Sequence, residues 1–447
     1  VYLRRLFHCF AEKHRYMYTI LLLYAFLVPL FVVPVGDFWG WSDIFLPIGL
    51  AVALWNLKKI TPGVVAATAL LIAAMVSIFQ VFGDTHETII SAIKVARLAG
   101  IILPIYLVAS THLTSLQVHR LAWVSWWGTA LALSVSLALY SMGVQLREHQ
   151  QLMYSELTGE LIYRNGGLVG DSGVCGHVAS FHFMVGFYLA FVSHERFRMP
   201  ASAFFFLVTT TIGLSTASIL TSSSRSALLA MFSFLACYLL IVFFLSLRRM
   251  PISAIWQGAL IGFVLTTTII ATISFGSNDK LFESLVDRMS FSNADSLEVA
   301  SSGRIATWSE ISQRIVDDVL FGVGYKQGMI ALGNRAVDNI FLLVIFECGL
   351  LGIVALMLAA YAFWVAVFRL QSYGLNTSVF LFSLGLSQIV HGMTVDNLTM
   401  WSSAPLFFLL GAAISSLGFL HTESLANEPQ FEGYELRQRE LLEPKGA

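Results

Sequence analysis

The sequence predicts an all-α polytopic membrane protein with about twelve transmembrane helices. Three observations predict it. Of 447 residues, 57% are hydrophobic and only 12% are charged, with a mean hydropathy of +0.76; a soluble domain carries roughly twice that charge. Apolar runs long enough to cross ~30 Å of hydrocarbon recur along the whole chain. Lys and Arg are also distributed unevenly between alternate connections.

The runs lie near 17–35, 42–57, 62–82, 92–110, 119–142, 174–193, 203–221, 226–246, 255–274, 339–368, 376–394 and 400–420. The first does not read as a cleavable signal: Val28 to Val35 contains Pro29 and Pro34, and no small-residue cleavage pattern follows. The chain thus divides into helices one to nine (1–274), a loop (275–338), helices ten to twelve (339–420) and a polar tail of alternating charge (421–447). It shows no repeat, no low-complexity tract and no soluble domain boundary. A net charge of −1 gives no nucleic-acid footprint. Cys9, Cys175, Cys237 and Cys348 have neither metal-ligand nor disulfide spacing.

Counting from an inside N-terminus, Arg4, Arg5, Lys13, Arg15, Lys58, Lys59, Arg120, Arg196, Arg198, Arg248, Arg249 and Arg369 fall on one side. The short connections near 36–41, 83–91 and 395–399 hold no Lys or Arg. Both termini are therefore expected inside, with the long connections 143–173 and 275–338 outside. Long loops escape the charge rule, which covers most of the basic residues found outside. It does not cover Arg225, in a very short outer turn.

The long loop is expected to be ordered. Asp279 to Met289 places Leu281, Phe282, Leu285, Val286 and Met289 on one helical face. Gly303 to Leu320 does the same for Ile305, Trp308, Ile311, Ile315 and Val319, with Gly322 and Gly324 stopping that helix. Arg304 starts the second helix, where backbone N–H groups favour an anion. Arg288 and Arg304 flank the polar centre of the loop; they read as solvated loop charges or as anion contacts. Arg225 follows Thr221-Ser222-Ser223-Ser224. It is either an arginine that snorkels to the interface or a phosphate clamp, since guanidinium offers a planar fork to phosphate oxygens. Asp338 opens the tenth run, as a helix N-cap, as a base for an attacking hydroxyl, or as both. Arg164 to Gly173 holds four glycines, and Arg164 and Asp171 there lie at the mouth of segment six. His391 and Asp396 end segment eleven. Lys94 and Arg97, in segment four, face either lipid phosphate or acidic neighbours.

Asp338-Asn339, nine residues, Gly349, two residues and Gly352 resemble the His-Asn-x9-Gly-x-x-Gly signature of the bacterial O-antigen ligase/polymerase superfamily. Gly303-Arg304-x3-Trp308, Gly322-x-Gly324 and Ser222-Ser223-Ser224-Arg225-Ser226-Ala227 fit the same family, as does the layout of spans and loop. The resemblance covers roughly residues 160–355.

The resemblance implies a GT-C-like glycosyltransferase of the bacterial inner membrane, with its active site on the periplasmic side. It would move a glycan from an undecaprenyl-diphosphate carrier to an acceptor hydroxyl on a glycan or lipid-linked acceptor. No cofactor is implied, neither nucleotide sugar nor obligatory metal. Membrane lipid and a chain-length regulator are the further partners it suggests. Arg225, Arg288 and Arg304 would stabilise the leaving diphosphate and Asp338 would act as base. Asn339, Trp308, Arg164, Asp171 and His391 would contact substrate. Family ligases carry His where this chain has Asp338, which favours a polymerase of O-antigen, capsule or exopolysaccharide over a ligase acting on lipid A-core. A lipid-linked glycan flippase is the rival class, since about twelve spans suit a transporter. The large one-sided loop and the lack of matched broken segments count against it.

Overall fold

A computed structural model of the chain describes residues 16–30, 57, 60–111, 113–144, 152–154, 161–169, 171–247, 304–316, 318–333, 337–395 and 403–427, with short strands at 34–35 and 39–40. The predicted spans 42–57 and 255–274, Arg288, Asp396 and the helix at 279–289 lie outside these residues, apart from Leu57. Nine of the other ten predicted spans coincide with helices; of the span 17–35 only the first part is helical, since the helix ends at Leu27 and Pro34–Val35 lies in a strand.

These helices are α1 (Tyr16–Leu27), α2 (Pro62–Ser77), α3 (Thr85–Ser110), α4 (Ser115–Ser141), α5 (Ser172–Phe187), α6 (Ala201–Ser222) and α7 (Arg225–Leu247). A surface helix, α8 (Arg304–Arg314), precedes α9 (Ile340–Tyr373), α10 (Leu375–Thr394) and α11 (Ala404–Asn427). Seven of them are long and apolar enough to cross a membrane, counting the turns that extend α2 to Val81 and α5 to Val192. Among the described residues the all-α expectation holds apart from two short antiparallel hairpins, Pro34–Val35 with Trp39–Gly40 and Leu152–Tyr154 with Leu161–Tyr163.

Local sequence sets the helix starts. Thr61 accepts from Val64 N–H ahead of Pro62, Asp84 caps α3, and Thr114 with Gln117 forms a reciprocal capping box on α4. The left-handed Ser223 (φ 50°) turns α6 directly into α7.

α2, α3, α9 and α11 pack together, as a second group α4, α5, α6, α7 and α10 do, and α9 joins the two groups through α10. α5 is the buried axis of the second group. Lipid tails are as apolar as Leu, so close approach rather than burial drives this packing. A Cβ on Gly186 would lie 2.3 Å from Thr211 Oγ1, so only glycine lets α6 come so near. The Trp126 indole donates to Thr211 Oγ1 (2.8 Å), and Thr129 Oγ1 meets His182 Nδ1 (2.9 Å) in the same seam. The helices alternate in direction. The ends of α2, α4, α6 and α10 and the starts of α3, α5, α7, α9 and α11 therefore share one face with α8.

Candidate functional site

Arg225 is the first residue of α7, reached through the Ser223-Ser224 turn. The turn bears on α5: a Cβ on Gly176 would lie 2.4 Å from Ser224 Cβ. It is also pinned from the Arg164 segment. Asn165, buried, donates its amide to the Thr221 carbonyl (2.9 Å) and its side chain to Thr221 Oγ1 (3.2 Å). The Asn165 side-chain oxygen accepts from Ser136 (2.8 Å) and from the Gly167 amide (2.9 Å). The glycine-rich stretch is thus tied to α4 and α6, and Arg164 and Arg225 hang from one hydrogen-bonded corner. Asn165 is a residue the sequence reading missed. Asp171 has a structural duty: its Oδ1 caps α5, accepting from Gly173 (2.7 Å) and Val174 (3.2 Å).

α8 begins at Arg304, as its spacing predicts, but ends at Arg314 rather than at the glycines. Ile311 is its buried anchor, packed with Leu332, Val337, Ile340, Leu343, Val344 and Phe346; Ile315 joins from the edge. Val319 is exposed, contrary to the predicted apolar face. Trp308 buries its indole N–H without a hydrogen-bond partner among the described residues. Arg314 closes the helix with Glu310 (2.7 Å) and donates to the Ala331 carbonyl (2.6 Å).

The start of α9 corrects one expectation. The N-cap is Asn339, not Asp338: Asn339 Oδ1 accepts from the amides of Phe341 (3.0 Å) and Leu342 (3.1 Å). Asn339 is buried and its side-chain oxygen is committed to the helix. Asp338 stands one residue ahead, half-buried.

Ten residues after Asn339, α9 breaks. Gly349 has φ 57° and ψ −141°, which only glycine adopts easily. The break accepts the Gly322-Val323-Gly324 turn. Val323 N–H donates to the Phe346 carbonyl (2.9 Å), Gly324 N–H to the Glu347 carbonyl (3.1 Å), and Leu350 N–H to the Val319 carbonyl (2.8 Å). A Cβ on Gly322 would lie 2.5 Å from the Phe346 carbonyl oxygen, and one on Gly349 2.6 Å from the Leu320 backbone. Gly322 and Gly324 therefore do not stop α8; they let the loop enter α9. Gly352 serves the same break, since a Cβ there would lie 2.5 Å from the Val344 carbonyl oxygen.

His391 lies in the last turn of α10, fully buried. Its ring faces that of His177 of α5, with centroids 4.2 Å apart, and neither of its nitrogens has a hydrogen-bond partner among the described residues. His177 holds Gln388 Oε1 (3.0 Å) and Ser403 Oγ (2.6 Å). Lys94 donates to the Lys326 carbonyl (3.4 Å) and has Glu87 and Glu347 as acidic neighbours.

Residues 210–357 match the family model described as O-antigen ligase. That stretch, a third of the chain, is similar to the O-antigen ligase domain and contains the motifs on which the resemblance was drawn. The matched stretch contains Arg225, Arg288, Arg304, Trp308, Asp338, Asn339 and the four glycines of the break, and leaves out Arg164, Asp171 and His391. No curated protein matches the chain. The match and the apolar helices support a multi-pass membrane protein of the ligase/polymerase type, with a part in surface polysaccharide assembly.

Proposed function

We propose that the protein transfers a glycan from an undecaprenyl-diphosphate carrier to an acceptor hydroxyl on the periplasmic side of the bacterial inner membrane, as a polymerase. The acceptor oxygen attacks the anomeric carbon, the bond to the diphosphate breaks with inversion, and Asp338 takes the hydroxyl proton. Arg225, Arg304 and Arg288 stabilise the charge that develops on the leaving diphosphate. None of the three is the base, because arginine stays protonated.

The observation that carries this reading is the cap of α9. Asn339 satisfies the first amides of the helix, so the carboxylate at 338 is not needed for capping. An apolar cavity of about 450 Å³ adds support. It is lined at one end by Ile340 and Phe341, which directly follow Asn339, and continues between α2, α3, α9, α10 and α11 past Ala66, Ala359 and Ala366. A lipid tail entering there would leave its diphosphate beside the start of α9.

The description of the matched family favours a second reading, a ligase that passes the glycan to lipid A-core. One strain set separates the readings. A deletion strain is complemented with wild type, Asp338→Asn or Asp338→His, and its glycan is resolved on a gel. With a polymerase, Asp338→Asn leaves single repeats on the acceptor; with a ligase, glycan stays on its carrier. Asp338→His is expected to restore part of the activity, since imidazole also accepts a proton. Full activity from Asp338→Asn, at equal membrane protein level, would remove the carboxylate from the mechanism.

A further inference from the structure

The turn that enters α9 is held from a third direction. On α3, Glu87, Ser91 and Lys94 follow one another at helical spacing and share a face. Gln327 Nε2 donates to Glu87 Oε2 (3.0 Å) and lies 2.9 Å from Ser91 Oγ. Lys94 reaches the carbonyl of Lys326, which like Ser223 has a positive φ (62°). On the other side Glu347 is almost fully buried in α9, two residues before the break, and its Oε1 accepts from the Gly328 amide (3.2 Å). Tyr325 N–H donates to Ser77 Oγ of α2 (3.0 Å). A carboxylate inside a bundle needs hydrogen bonds and a counter-charge. Gly328 supplies the first, and Lys94 lies within electrostatic reach of both Glu347 and Glu87.

This polar cluster is continuous with the site. Residues 324–328 are one turn, Gly322 and Gly324 sit in the break, and the chain runs on through Leu332 and Val337. These two pack with Ile311 of α8 and Ile340 of α9, on either side of Asp338 and Asn339. A shift of the turn is therefore carried to the residues that frame Asp338.

We infer that Glu87, Ser91 and Lys94 of α3 are positioning residues for the transfer reaction. They fix the 324–328 turn, the turn fixes the break in α9, and the break sets where Asp338 stands. The inference rests on the transferase reading above, but its test has an arm that does not.

The test uses Glu87 and Gln327, whose roles are exchangeable. Gln327→Glu sets two carboxylates against each other; Glu87→Gln combined with Gln327→Glu returns one amide facing one carboxylate. Full-length protein in detergent is followed by amide exchange across 319–333, and by transfer of the lipid-linked glycan extracted from the deletion strain. Gln327→Glu is expected to speed exchange in that segment. It should lower the rate at saturating donor about 10- to 100-fold, as small displacements of a reacting group do. The KM for donor should change little. The double variant is expected to recover both. Exchange that recovers without the rate, or a rate untouched by Gln327→Glu, overturns the positioning role. Wild-type protein without transfer activity would sink the transferase reading, while the exchange arm would still report on the turn.

Discussion

Phe346 and Leu350 stand four residues apart in α9, the spacing at which a continuous helix pairs carbonyl with amide. Here the Phe346 carbonyl accepts from Val323 and the Leu350 amide donates to Val319. Both groups of one helical hydrogen bond have been handed to the loop. Neither of these two groups is left unmet, which hydrocarbon would penalise by several kcal/mol.

Gly349→Ala is therefore expected to damage the fold. A side chain at this φ and ψ costs on the order of 1–3 kcal/mol. The added carbon would also meet the Leu320 backbone at 2.6 Å. Thermal unfolding of detergent-purified protein reads the loss. An unchanged transition would mean that the break relaxes freely.

The two residues before α9 separate by stability. Asn339→Ala removes the cap and is expected to cost about 1 kcal/mol, whereas Asn339→Ser keeps most of it. Asp338→Asn is expected to leave unfolding unchanged. Equal destabilisation from Asp338→Asn and Asn339→Ala would return the capping duty to the aspartate.

The arginines are expected to act on developing charge. Arg225→Ala and Arg304→Ala should each lower transfer roughly 100-fold, typical of one lost donor to such charge. Lysine should rescue poorly, since a point charge lacks the bidentate fork. Near-normal product from Arg304→Ala would reduce it to the opening residue of α8.

Orientation is testable at two exposed positions. On a background with native cysteines replaced by serine, Ser312→Cys on α8 is expected to react with an impermeant maleimide in intact spheroplasts. Arg198→Cys, at the opposite end of the bundle, is expected to react only after lysis. The reverse pattern would invert the site.

The spans were legible because bilayer thickness demands long apolar runs whatever the packing. The start of α9 was not, because Asp338 and Asn339 are both good caps and only the three-dimensional entry of the chain selects one. Gly322 and Gly324 looked like a helix stop because their partner, Phe346, lies well along the sequence. Glu347 did leave a signal: an ionisable residue inside an apolar run marks a place where something polar must meet it. His177, in the middle of the sixth run, left the same kind of signal. Asn165 left none, since an asparagine beside glycines reads as an ordinary turn. Arg288 lies beyond the described residues and stays an expectation.

The broken helix also defines a unit of exchange. Since residues 319–324 complete the hydrogen bonding of α9 across Gly349, the loop cannot be transplanted between family members without the helix segment that receives it. A chimaera cut at Asn339 would pair one protein's turn with another's break. A cut after Gly352 would carry plug and socket together, and it is there that donor or acceptor preference should travel as a block.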